Sequence, residues 1–226
     1  MGKDRNTILV IGDTHIPFEL DNYLEFCVEI YKRCKCKTVV HIGDLVDNHS
    51  ISYHEHDPNG FSPADEIREA KRHLKRWFKA FPRLFLCRGN HDSLVDRKGK
   101  TVGLPQEVFL PYRQIWDLPN TWIDDWDFEF NGVRYQHGTG YSGKYAHIQA
   151  AYDNRQSTVV GHTHSSLGGE YIANYKDRIF GMNVGCGIDR KKYAFTYGRD
   201  FKCKPIIGCG IVSDCGKYWQ TFAMEL

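Results

Sequence analysis

The chain has 226 residues, 41% of them hydrophobic, which is enough for one large folded domain and too apolar for a disordered one. Thirty Lys and Arg against 28 Asp and Glu leave a formal net charge of +2, so a surface built wholly for nucleic acid is excluded while a local basic patch is not. The opening MGKDRNTILVIGD has no stretch of signal-peptide length, and no later apolar run approaches the roughly 18–20 residues that span a bilayer, so a cytoplasmic protein without a membrane partner is expected.

Residues 7–11 (TILVI) are an unbroken apolar run, a buried strand stopped at Gly12-Asp13. Across 21–33, Tyr23, Leu24, Phe26, Cys27, Ile30 and Tyr31 recur at helical spacing. Residues 38–42 (TVVHI) give a second strand, again ending at Gly-Asp. A longer helix is predicted over 64–80, with Ile67, Ala70, Leu74, Trp77 and Phe78 as its apolar stripe and Pro82 as its stop. Leu84–Cys87 (LFLC) is a third strand and runs into Arg88-Gly89-Asn90-His91. Strand-helix-strand order with contiguous apolar strands predicts a largely parallel sheet in this half.

The second half changes character. Residues 127–131, 133–136, 158–160, 170–173, 178–184, 206–212 and 218–223 read as strands, interrupted by one helix over 144–152. Punctuation such as Asn131-Gly132 predicts hairpins and antiparallel pairing. No repeat, low-complexity segment or linker divides the chain, so 1–226 reads as a single α/β domain with two mixed sheets and helices outside. Trp116, Trp122 and Trp126 are expected to anchor core or loops. Eight cysteines (Cys27, Cys34, Cys36, Cys87, Cys186, Cys203, Cys209 and Cys215) are expected as reduced thiols in structural roles. The last three recur every six residues, a spacing that facing strands would give.

Each strand end delivers an acid, an amide or imidazoles: Asp13-Thr14-His15, Gly43-Asp44-Leu45-Val46-Asp47, Gly89-Asn90-His91-Asp92, His137-Gly138 and Gly161-His162-Thr163-His164. Ligand sites in open α/β sheets lie beyond the carboxyl ends of strands, so these segments can converge on one cleft. Mixed carboxylate, amide and imidazole donors suit first-row divalent ions, and there are too many for a single coordination sphere. A carboxylate such as Asp44 can bridge two ions about 3.5–4 Å apart.

These five blocks, in this order from Asp13 to His164, closely resemble the pattern of the calcineurin-like metallophosphoesterase family. The resemblance covers about two-thirds of the chain and implies a four-layer α/β/β/α sandwich. It further implies that Asp13, His15 and His164 hold one metal and Asn90, His137 and His162 a second, with Asp44 shared. His91 matches the histidine that protonates the leaving oxygen or stabilises the transition state, and Asp47 the acid that orients it; the nucleophile would be a metal-bound water or hydroxide. The implied cofactors are two divalent ions, manganese first, with iron, zinc or nickel as alternatives.

One departure bears on substrate. The protein serine/threonine phosphatases of this family follow the second block with Arg-Gly, where this chain has Asn48-His49-Ser50. A phosphodiesterase, nuclease-like or acting on nucleotides, is therefore expected ahead of a phosphomonoesterase, with DNA, RNA or a nucleotide as partner. The third reading is a non-catalytic scaffold, as some members of this fold are, and oligomeric state stays open. Arg88 is a candidate phosphate grip, and Tyr53 and His54, in the turn-rich stretch 49–63, are candidate substrate contacts alongside Asn90 and His91. Basic clusters at 32–37, 68–79, 97–100 and 190–192 are either solvent faces or, near 97–100, part of a groove for a phosphodiester backbone.

Overall fold

The computed structural model describes residues 6–192, 194 and 202–225; the polar start of the chain, 1–5, lies outside them. Strand β1 (Ile8–Ile11) is buried along its whole length. Parallel to it runs β2 (Thr38–His41), then β3 (Leu84–Cys87) and β4 (Trp122–Asp125). On the other side of β1, β10 (Gly208–Ser213) and β11 (Tyr218–Ala223) pair antiparallel, giving the order β11-β10-β1-β2-β3-β4.

The second sheet has the order β5-β6-β7-β9-β8, built from Asp127–Phe130, Val133–Gln136, Ser157–Val160, Arg178–Val184 and Leu167–Ala173 respectively. Its outer pairs are antiparallel, but β6, β7 and β9 run parallel. The hairpin expected at Asn131-Gly132 is the antiparallel β5–β6 pair, and the antiparallel expectation fails only where β6, β7 and β9 adjoin. Helix α5 (Ala146–Asn154) carries the chain back between β6 and β7, and the β8–β9 hairpin seats its second strand beside β7.

Alternation along the buried strands sets the layers. Ile8, Val10, Val40 and Ile42 meet Tyr135, Val159, Phe180, Met182 and Val184 between the sheets. Leu9, Ile11 and Leu86 point the other way, onto α1 (Tyr23–Arg33) and α2 (Pro63–Ala80), where Tyr23, Cys27, Leu74 and Trp77 complete a second core. With α5 over the far face of the second sheet, the result is a helix-sheet-sheet-helix sandwich with two mixed sheets, as expected. Ser62 caps α2 by accepting the Asp65 N–H, and Pro63 opens its first turn.

Three elements were not legible: α3 (Leu94–Thr101), the one-turn α4 (Tyr112–Ile115) and β4. Strand β4 reads WIDD, with two acids in four residues, and α3 reads LVDRKGKT, with a glycine inside it. Trp116 and Trp122 are core residues, and Trp122 donates its indole N–H to the Phe81 carbonyl at 2.8 Å. Trp126 anchors nothing of the kind, standing 56% exposed. All eight cysteines are free thiols. Of the three at six-residue spacing only Cys209 lies in a strand, Cys215 falling in the β10–β11 turn, so facing strands do not explain that period.

Candidate metal centre

The first loop after β1, the loops after β2 and β3, and the ends of β6 and β7 all open on the same edge of the two sheets. Backbone bonds fasten them together: the Asp44 carbonyl accepts the Thr14 and His15 N–H groups, at 3.1 and 2.9 Å. His15, Asp44 and His162 each adopt left-handed backbone, at φ of 50°, 48° and 64°. Such strained positions concentrate at functional sites, where surrounding structure holds them in place. Glycines supply the remaining room. A Cβ on Gly89 would overlap Asp44 Oδ1, and one on Gly161 would overlap Asp13 Oδ1.

All nine residues that the sequence assigns to the centre come together. Asp13, His15 and His164 form one group whose ligand atoms lie within 4.8 Å of one another, and Asp44, His137 and His162 form another. His15 Nε2 and His164 Nε2 are 3.1 Å apart, and Asp13 Oδ2 is 3.2 Å from His164 Nε2. In the second group His137 Nε2 lies 3.0 Å from Asn90 Oδ1, 3.1 Å from His162 Nδ1 and 3.1 Å from Asp44 Oδ2. The same Asp44 oxygen is 3.6 Å from His15 Nε2, so it faces both groups.

The hydrogen bonds fix which atoms carry lone pairs. Asp47 can only accept, so the 2.5 Å contact to His15 Nδ1 makes that nitrogen the donor and leaves His15 Nε2 as an acceptor towards the centre. His137 Nδ1 likewise faces the Ile42 carbonyl at 3.2 Å, which turns His137 Nε2 inward. Acceptors thus converge on acceptors, and Asp13 Oδ1 is buried without a hydrogen-bond partner. Unsatisfied buried acceptors are costly, and a cation between them removes the cost. The donor set therefore fits divalent metal ions.

Electrostatics agree. Burial disfavours charge on His137, yet Asp44 and Asp13 outweigh it and push its pKa up to about 9, a measure of the negative charge gathered at this point. Burial and the neighbouring His137 press His162 down to about 4. Burial also opposes ionisation of Asp47, but hydrogen bonds from His15 and His91 hold it below the usual carboxylate range.

His91 is placed differently. Its Nδ1 donates to the Asp47 carbonyl at 2.6 Å and lies 3.2 Å from Asp47 Oδ1, leaving Nε2 for the cleft. Burial would lower its pKa, but Asp44 and Asp47 outweigh that and raise it to about 10. It also forms a third possible ligand group with His15 and Asp44.

The sequence assigns no role to several residues that support the centre. Buried His41, pressed by burial to a pKa of about 3, accepts the Gly43 N–H and meets Thr14 Oγ1 at 3.0 Å, bracing the first two loops. Asp92 accepts from the Gly89 N–H at 2.8 Å and the Tyr112 hydroxyl at 2.8 Å. Asn183 holds the last block through the Gly161 carbonyl and Thr163 Oγ1. From α2, Glu66 accepts the His49 and Ser50 N–H groups, and Glu19 of the first loop meets His73 at 2.8 Å. An imidazole or amide inside an apolar strand was the available signal for His41 and Asn183; no signal marks Glu66.

Two proposed substrate contacts sit at the rim. Tyr53 is 57% exposed, and His54 is near enough to His91 and Asp47 for their charges to act on it. Arg88 is not an open phosphate grip. Its Nε donates to Asp124 at 2.9 Å, the same carboxylate takes Arg113, and its guanidinium lies 5.1 Å from the Tyr112 ring centroid. Arg88 is a strand-end arginine held by Asp124.

A family model described as calcineurin-like phosphoesterase matches residues 6–167. Among solved structures, Vacuolar Protein Sorting 29 from Cryptosporidium parvum is similar at 13% identity, with 98% of this chain and 92% of that chain covered and a TM-score of 0.50. A metallophosphoesterase from Sphaerobacter thermophilus is similar at 18% identity over 98% of this chain and 89% of that one, with a TM-score of 0.48. The phosphoesterase Yfce from E. coli gives 18%, 91%, 87% and 0.42 in the same order. No curated protein sequence matches the chain. At these identities the structural likeness concerns fold alone. The family match covers most of the sequence and every one of the five motif blocks, and on that basis the chain belongs to the calcineurin-like phosphoesterase family.

Proposed function

We propose that the protein hydrolyses phosphodiesters at a centre of two divalent ions sharing Asp44, with Asp13, His15 and His164 on one side and Asn90, His137 and His162 on the other. The observation that carries this is the position of Asp44 Oδ2, 3.1 Å from His137 Nε2 and 3.6 Å from His15 Nε2. Bridged divalent ions of this kind lower the pKa of water towards neutrality and withdraw charge from phosphoryl oxygens. Manganese is the first choice of ion, with iron, zinc and nickel accepted by the same donors.

The chain's own residues supply the rest. Asp47 fixes His15 through Nδ1 so that Nε2 is presented to the centre, the familiar carboxylate–histidine support of a metal ligand. It also holds His91 through Nδ1, which turns Nε2 to the cleft, where it can give a proton to the departing alkoxide. Diesters suit the site better than monoesters because Asn48 stands where the protein phosphatases carry arginine and Arg88 is occupied by Asp124. A monoester dianion has fewer cationic side chains to meet it. Nucleic acids and nucleotides are the substrate classes proposed, and the eight free thiols suit a reducing, cytoplasmic setting.

Metal-stripped protein is expected to be inactive on bis(4-nitrophenyl) phosphate and to recover with manganese. The monoester 4-nitrophenyl phosphate, run in parallel, should be the poorer substrate. Recovery with no divalent ion would overturn the hydrolase reading, and a preference for the monoester would replace diester by monoester.

A further inference from the structure

Two segments leave the centre side by side. One is the 3-10 turn His49–Ile51, two residues beyond Asp47; the other is α3, starting three residues beyond His91. Between them runs an open groove of about 600 Å³, within the roughly 300–1,000 Å³ typical of small-ligand sites. Ile51, Val95, Val102, Leu104 and Phe109 line it, and Val102 and Leu104 remain 71% and 45% exposed. Apolar surface left open beside a polar catalytic cleft marks a binding site more often than an accident of folding.

The rim of this groove is cationic and aromatic. Lys98 Nζ sits 3.8 Å from the Tyr53 ring centroid and the Arg97 guanidinium 5.4 Å from it. Arg97 Nη1 donates to the Asn90 carbonyl at 3.3 Å, so the rim is continuous with the loop that carries a metal-binding amide. The cations of α2 are spent differently: Arg68, Arg72 and Arg76 meet Asp65, Glu69 and Glu25, which makes that helix an ordinary solvent face. Among the described residues neither Arg97 nor Lys98 meets a carboxylate.

We propose that the groove between the 49–51 turn and α3 holds the nucleoside of a nucleotide diester whose reacting phosphate lies at the centre, with Lys98 and Arg97 over Tyr53 receiving the adjoining phosphate. The inference rests on the diesterase reading above and names its substrate class. A cationic rim interleaved with an aromatic ring is the arrangement that meets both a phosphate backbone and a base face. An acyl chain would use the apolar walls but carries no second anion for the two cations. Ser50, His56 and Thr101 along the groove offer polar atoms to a base edge.

Three esters with the same leaving group test this: thymidine 5′-(4-nitrophenyl) phosphate, the same ester bearing a 3′-phosphate, and methyl 4-nitrophenyl phosphate, assayed with manganese. The wild type should have the lower KM for the nucleoside esters. In Val102→Asp/Leu104→Asp the KM for both nucleoside esters should rise by about tenfold or more, and in Lys98→Ala that of the 3′-phosphorylated ester alone, with kcat within about twofold and the methyl ester unaffected. The exposure of Val102 and Leu104 makes misfolding of the double variant an unsuitable explanation for a loss, and Lys98→Ala serves as the independent check. Equal KM values for the nucleoside and methyl esters in the wild type, or variants without effect on the nucleoside esters they are paired with, overturn the groove assignment and leave the diesterase reading standing. A long-chain alkyl 4-nitrophenyl phosphate preferred over the nucleoside esters would overturn it in favour of an apolar chain. No turnover of any of these esters with any divalent ion overturns the hydrolase reading itself, and the inference with it.

Discussion

Asp47 gives one carboxylate to two imidazoles, adding His15 to the His91 contact that the family resemblance implies. In the proposed reaction its contact to His15 supports a metal ligand, while its contacts to His91 support the proton donor. His91→Ala should therefore keep both ions and lose about 10²- to 10⁴-fold in turnover. Asp47→Asn should lose turnover and metal affinity together, the latter by about 10- to 100-fold. Metal titration by calorimetry alongside steady-state kinetics separates the two. Full turnover in His91→Ala would remove His91 from the mechanism; unchanged metal affinity in Asp47→Asn would confine Asp47 to His91. At this scale the motif residues were legible because five blocks of donors at strand ends cannot all be turns. The braces were not. His41 and Asn183 look like strand residues, and Glu66 looks like one more acid in a charged helix, until the fold brings the loops to them.

At the scale of elements, α2 does more than cover the first sheet. Glu66 holds the 49–51 turn, and His73 holds the first loop through Glu19, so both loops that carry Asp13, His15, Asp44 and Asp47 are fastened to one helix. The Glu19 hydrogen bond raises the pKa of His73 from its ordinary 6.5 against the opposing effect of burial. A raised imidazole pKa stabilises the fold fully below the unfolded value and stops doing so as pH climbs through the folded one. The thermal stability gap between wild type and His73→Gln should thus be widest near pH 6 and close at alkaline pH. A gap independent of pH would mean that the imidazole is held by packing rather than charge. The helix itself was legible over 64–80 from its stripe and the Pro82 stop. By contrast α3 carries a glycine and few apolar residues, and β4 alternates nothing over four residues, so neither had a period to detect.

At the scale of the molecule, the sandwich explains why ligands from residues 13 to 164 meet. Parallel β1, β2 and β3 end on one edge of the first sheet, parallel β6 and β7 end on the same edge of the second, and the shared core between the sheets fixes their separation. The apolar runs of the first half announced that arrangement. The parallel pairs of the second half stayed hidden because Asn-Gly and short strands suggest hairpins, although the helix expected over 144–152 is the α5 crossover that decides the direction. The central claim is that these five strand ends build one centre in which Asp44 joins two ions. Electron paramagnetic resonance of protein loaded with two equivalents of Mn(II) tests it most directly. Ions about 3.5–4 Å apart should give the spin-coupled spectrum of a dimanganese pair, and Asp44→Ala should abolish the coupling. Two uncoupled mononuclear signals, or saturation at one ion per chain, would contradict it.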